Sequence, residues 1–154
     1  MTTRDEDGFE LARTDRTLPI ALLRAREAVM ERFRPILHAH DVTEQQWRIL
    51  RILQERGEMD ATQLARRACI LAPSLTRMIK SMEGRGLIGT RRDPEDRRRA
   101  LIVLTGAGDG LLRKVAPESA AIYAEIETRV GAARLAHLLD EIEALQDALS
   151  ARDP

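Results

Sequence analysis

The sequence predicts a mainly α fold broken by one small β-hairpin, and three observations predict it. Aromatic residues are 3% of the 154, too few for an all-β core, whose strands favour them. Apolar residues recur at helical spacing through Leu22, Val29, Phe33, Ile36 and Leu37, again through Trp47, Leu50 and Leu53, and again through Leu135, Leu138, Leu139, Ile142, Leu145 and Leu149. Between the second and third sets lies "LIGTRRDPEDRRRALIVL", two short strand-like runs around an Asp-Pro turn.

Taken in order, residues 1–16 read as a mobile N-terminal arm, and residues 17–150 as a single domain. Thr17, a candidate N-cap followed by Pro19 in the first turn, opens a helix to about His40, with Pro35 expected to kink or loosen its last turn. Thr43 starts the next helix with Gln46 three residues on, a capping-box spacing, and Gly57 ends it. Asp60 repeats the device with Gln63 for a short helix through Ala68. After the turn "CILA", a helix is expected from Pro73 to about Arg85, closed by Gly86. Leu75, Ile79 and Met82 face one way on it; Ser74, Arg77 and Ser81 face the other, with Thr76 and Lys80 beside them. Thr105 and the glycines at 106, 108 and 110 begin a helix to about Val130, interrupted near Pro117, and Gly131 restarts a last one.

Two short helices and a tight turn fit an ordinary helical bundle as well as a helix-turn-helix. The basic hairpin that follows the second helix directly decides between them, because that order is a winged helix-turn-helix, here residues 43–104. Such a lobe does not need the helices at 17–40 and 105–150 for its own core. Their apolar stripes call for a partner, and a second copy of the chain is the simplest, which makes them dimerisation helices. Charge is distributed accordingly. Residues 66–105 carry 10 Lys and Arg against 4 Asp and Glu, whereas residues 1–65 carry 10 against 12 and residues 106–154 carry 5 against 9. A basic patch confined to one module is a footprint for a polyanion.

The whole of residues 17–150 resembles the MarR family of bacterial transcriptional regulators, most specifically in "MEGRGLIGTRRDPEDRRRALIVLT". Met82 stands there where the family often has leucine, a volume-conserving swap. "LPIALLRARE", "FRPI", "TEQQWRILRIL" and "RACILAPSLTRM" are similar to the subgroup regulating homoprotocatechuate degradation. The resemblance implies a homodimer with one winged lobe per subunit. It implies a ligand site between the dimer helices and the lobe, and release of operator DNA when a small aromatic acid such as 3,4-dihydroxyphenylacetate binds. It also implies repression of an aromatic-compound catabolic operon. Asp96 and Arg98 match the family's Asp-x-Arg signature, which implies an internal ion pair that stiffens the wing.

For double-stranded DNA, the expected contacts from the second helix are Pro73, Ser74, Thr76, Arg77 and Lys80, with Arg77 suited to a guanine edge and Lys80 to a phosphate. Gln63 is expected at the backbone, and one of Arg97, Arg98 and Arg99 in an A·T-rich minor groove. Asp93, Glu95 and Asp96 read as turn residues of the wing. For the effector, Arg26 stands out: its neighbours at i−4, i−3, i+3 and i+4 are Leu22, Leu23, Val29 and Met30. A guanidinium so placed either snorkels along its stem or meets a carboxylate. Arg16, His38 and Trp47 complete the candidate ligand set, while Arg24 with Glu27 reads as a surface pair.

Other classes find less support. There is no nucleophile–base constellation, no phosphate loop and no metal-ligand spacing, so no enzyme, cofactor or metal is expected. Cys69, in the apolar stretch "ACIL", reads as a buried structural thiol, with a redox-responsive regulator as the alternative. A winged module that binds protein instead of DNA is the other alternative, and the six arginines from Arg85 to Arg99 argue against it. No apolar run approaches the ~20 residues of a membrane span, the first residues lack an apolar signal core, and a lone cysteine fits the cytoplasm.

Overall fold

The structure, a computed structural model, describes residues 2–4 and 10–150. Within the stretch expected as an arm, β1 (Thr2–Arg4) pairs antiparallel with β2 (Glu10–Ala12), and Thr14–Arg16 form one 3-10 turn. Then come α1 (Leu18–Ala39), α2 (Glu44–Arg56), α3 (Ala61–Ala68), α4 (Ala72–Gly84), β3 (Ile88–Arg92), β4 (Ala100–Leu104), α5 (Gly106–Val130) and α6 (Ala132–Ser150). The chain divides into two compact units at the Ala116–Pro117 bond.

The first unit is built by local signals that act as expected. Thr43 and Asp60 each accept a hydrogen bond from the backbone N–H of the glutamine three residues on, at 3.1 and 2.8 Å, and both capping boxes are complete. Gly57 and Gly86 adopt φ of 78° and 71°, the left-handed region that glycine enters at no steric cost. Thr105 caps α5 by accepting from the Gly108 N–H at 3.1 Å, and its hydroxyl donates to the Gly86 carbonyl at 2.6 Å. Gly108 is needed for another reason. A Cβ there would strike the Leu87 carbonyl oxygen and come within 2.7 Å of Leu104 Cδ1, so α5 starts pressed against the hairpin.

The core lies where these elements converge. Ile49, Leu50 and Leu53 of α2, Leu64 and Ala68 of α3, Leu75 and Met82 of α4, Ile88 and Ile102 of the hairpin and Leu112 of α5 are all buried together. Trp47 is half-buried against this cluster, a core residue more than a wall of a cleft. The wing is antiparallel with Ile88 opposite Leu104 and Arg92 opposite Ala100. Met59 adds a third rung, exchanging backbone hydrogen bonds with Ile102, which the sequence reading did not anticipate.

Two expectations need correction. α5 runs unbroken through Pro117, where an interruption was expected, while α1 continues past Pro35 to Ala39, close to the expected end at about His40. Each proline removes one donor, but the hydrogen bonds of the turns on either side persist and carry the helix across. Cys69 is exposed, not buried: it is the C-cap of α3 in the left-handed conformation (φ 52°), which turns its side chain away from the core that Ala68 and Ile70 enter.

The second unit holds the rest of α5, Gly131 at φ 92° and α6. Its apolar stripe stands open, with Tyr123, Leu138, Leu139 and Leu149 all exposed.

Candidate nucleic-acid interface

α3, the Cys69–Leu71 turn and α4 form the helix-turn-helix, with β3 and β4 as the wing. On α4 the buried residues Leu75 and Met82 fix which face is outward. Opposite them, at i, i+4 and i+7, stand Pro73, Arg77 and Lys80, all exposed, with Thr76 beside them. Thr76 Oγ1 donates to the Ala72 carbonyl at 3.1 Å. Ser74 and Ser81 flank that face, lining a shallow cleft with Thr43, Gln45 and Gln46 at the start of α2. The predicted α4 residues are therefore brought together, with Ser74 nearer the lobe than its spacing alone suggested.

The wing arginines, indistinguishable in sequence, have different jobs. Arg91 grips both carboxylate oxygens of Glu58, with Nε to Oε2 at 2.6 Å, and that guanidinium holds the Glu58 carboxyl below its usual range. Arg92 Nη1 donates to the Arg97 carbonyl at 2.8 Å and ties the hairpin tip. Arg99 turns inward: its Nε donates to Asp60 Oδ2 at 2.7 Å, its Nη2 to Gln63 Oε1 at 2.9 Å, and Asp93 lies 3.7 Å away. The Asp60 carboxyl is held low, first by the Gln63 backbone N–H and then, against the opposing pull of burial, by Arg99. Arg97 and Arg98 are exposed, and among the described residues neither side chain has a partner.

The expected ion pair between Asp96 and Arg98 does not form among the described residues. Asp96 accepts from the Arg98 backbone N–H at 3.0 Å, a turn contact, while the wing's stiffening ion pairs belong to Arg99. Asp93 makes the matching contact to the Glu95 N–H at 3.0 Å, so both aspartates are turn residues as read. Gln63 and Arg99, both expected at DNA, are instead bound to each other and to Asp60 at the root of the wing. The reading also missed Arg66 and Arg67. Both are exposed on α3, Arg66 opposite Leu64 and Ala68, without acidic partners among the described residues, and the run "ARRA" next to the buried Leu64 and Ala68 was the available signal.

The candidate effector residues are dispersed. Arg26 does meet a carboxylate, but of its own chain: Nη2 donates to Glu44 Oε2 at 2.8 Å, with Glu27 at 3.6 Å. Arg34 Nε takes the other Glu44 oxygen at 2.5 Å and also holds Glu27, which replaces the expected Arg24–Glu27 pair. Burial pushes the Glu44 carboxyl toward its neutral form, yet the hydrogen bonds from Arg26 and Arg34 outweigh it and keep the group low. Arg26, Thr43, Glu44, Gln45, Arg48 and Cys69 line one open cleft. Arg16 and His38 are exposed on either end of the α1 region, and neither lines that cleft. Arg48 Nη1 donates to the Ala68 carbonyl at 2.6 Å, closing the end of α3. Among the described residues no group of His, Cys, Asp and Glu could hold a metal, and no helix is long and apolar enough to cross a membrane.

The MarR family profile matches residues 42–100. The homoprotocatechuate degradative operon repressor of Escherichia coli is 46% identical over 132 residues, covering 84% of this chain and 89% of that one. Among solved structures, NadR in complex with 4-hydroxyphenylacetate superposes with a TM-score of 0.78 at 37% identity, covering 89% of this chain and 97% of its own. The repressor CouR bound to a 23-mer DNA duplex gives a TM-score of 0.78 at 27% identity, covering 90% and 99%.

Proposed function

The chain belongs to the MarR family of transcriptional regulators, not to a family of enzymes, and from that premise we propose that it is a homodimeric repressor of aromatic-compound catabolic genes. A small aromatic carboxylate releases it from a pseudo-palindromic operator. The observation that carries the DNA reading is the sorting of cations on the winged lobe. Arg91 and Arg99 are spent on Glu58, Asp60 and Asp93, whereas Arg66, Arg67, Arg77, Lys80, Arg97 and Arg98 have no acidic partner among the described residues. Exposed cations without acidic partners release counterions when they meet phosphates. Arg97 or Arg98 enters the minor groove, and α4 lies in the major groove.

In this reading residues 43–104 form the DNA-reading lobe of a single domain spanning 17–150, and residues 17–40 and 105–150 pair the subunits. Exposed Leu18, Leu22, Leu23 and Val29 on α1 support the pairing, as does the open stripe on α6. Two lobes then read half-sites roughly 10 bp apart. The names of the relatives support the effector class. One is a homoprotocatechuate operon repressor and another holds 4-hydroxyphenylacetate. For this chain we assign the carboxylate to Arg26, from which it displaces Glu44. A coupling of about 1–3 kcal/mol makes a useful switch.

The test is duplex binding to the DNA upstream of its own gene at about 50 mM and about 200 mM salt, with and without 3,4-dihydroxyphenylacetate and related hydroxylated acids. Salt-steep binding relieved by one acid, with Arg26→Ala blunting that response, is the expected result. Salt-steep binding that no acid relieves removes the effector, and no binding at low salt leaves a protein-interaction module. The exposure of Cys69 beside Arg26 and Arg48 favours one second reading, control by thiol oxidation. Under it, peroxide would release the duplex from the wild-type chain and not from Cys69→Ser.

A further inference from the structure

Leu71 is the N-cap residue of α4, and it is 79% exposed. A single exposed leucine is ordinary on a protein surface. At this position it is not, because N-caps favour short polar side chains that accept from the helix's free N–H groups. The two preceding helices of the same lobe follow that rule with Thr43 and Asp60 and complete capping boxes, while Leu71 makes no capping hydrogen bond. Its side chain therefore serves neither the core nor its own helix.

What surrounds it narrows the occupant. Ala72 and Pro73 are exposed as well, so an apolar tip leads directly into the outward face of Pro73, Thr76, Arg77 and Lys80. Behind it in the chain stand Arg66 and Arg67, exposed and without acidic partners among the described residues. A protein-binding patch sheds charge at its centre, whereas here an apolar point is set among cations. The first residues of a recognition helix are those that reach base edges, and the apolar feature of the major groove is the C5-methyl of thymine. We propose that Leu71 is a specificity-determining residue that packs on one thymine methyl in each half-site. The proposal rests on the operator-binding reading above and deepens it.

Deoxyuridine differs from thymidine by that methyl alone, which makes the experiment direct. The wild-type chain is used to select its preferred sequence from a pool of random duplexes, and each thymine in a half-site is then replaced in turn by deoxyuridine. One position costs the wild-type chain roughly fourfold in affinity, the worth of one buried methyl group. The same replacement costs Leu71→Ala nothing further, while that variant keeps the wild-type melting temperature and salt dependence. Three outcomes overturn the proposal and leave DNA binding in place. They are no uracil-sensitive thymine, equal sensitivity in both proteins, or Leu71→Ala shifting the oligomeric state, which would place a protein against Leu71. Failure to bind any duplex overturns this proposal together with the reading it rests on.

Discussion

Replacing Arg99 with alanine separates two roles that the sequence assigns equally well, wing clamp and DNA contact. Its guanidinium spans Asp60 at 2.7 Å, Gln63 at 2.9 Å and Asp93 at 3.7 Å. The Arg99 side chain is 37% exposed and that of Asp60 24%, between a solvated pair and a buried one. Hydrogen bonds to charged groups contribute about 1.5–3 kcal/mol each when protected. Solvent screening and the ordering of a long side chain reduce the pair to about 1–2 kcal/mol in total. For 154 residues that lowers Tm by roughly 3–6 °C, readable by circular dichroism and by urea unfolding. The pH dependence has a definite sign. The Asp60 carboxyl is depressed, by the Gln63 N–H first and by Arg99 after it. A depressed carboxyl contributes its stability above its unfolded pKa and loses it as pH falls through the folded one. The stability gap between wild type and Arg99→Ala is therefore full at neutral pH and narrows below about pH 4. In DNA binding, alanine at whichever of Arg97 and Arg98 meets the duplex lowers the slope of log K against log salt by about 0.9, and Arg99→Ala leaves it unchanged. An Arg99→Ala protein with wild-type Tm and a slope reduced by about 0.9 would refute the clamp.

Two further predictions follow from packing and charge. Gly108→Ala drives a methyl group into the Leu87 carbonyl and against Leu104, and the loss in urea unfolding is about 2–3 kcal/mol. Gly110→Ala, two residues on with nothing within 4 Å, instead gains about 0.5–1 kcal/mol from helix propensity; equal effects at the two sites would sink the argument. At Glu44, the hydrogen bonds from Arg26 and Arg34 hold the carboxyl low against burial, so part of the fold's stability is present above the ordinary glutamate pKa and is lost on acidification through the folded value. Glu44→Gln removes that part, so its stability curve between about pH 5 and pH 3 is flatter than wild type; a parallel curve would show that the cluster does not matter to acid stability.

The sequence by itself determined much of what depends on a few neighbouring residues. Capping boxes at Thr43 and Asp60 span three positions, the turn glycines at 57 and 86 act on their own backbone, and the apolar period selects Leu50, Leu53, Leu75 and Met82 as core. Those signals were enough for a winged helix-turn-helix, and the basic wing was enough to point to DNA. The tertiary structure decided which arginine does what. Arg91 finds Glu58 across 33 positions and Arg99 finds Asp60 across 39, distances over which a run of identical side chains carries no information about partners. The same is true of Arg26, whose apolar neighbours left a snorkelling stem and a carboxylate partner both open and carried no sign of Glu44. Cys69 was misjudged because the apolar stretch around it was taken to bury it, while a left-handed C-cap turns that one side chain outward. A charged side chain's role is set by the nearest opposite charge in space, and only the folded chain brings those charges together.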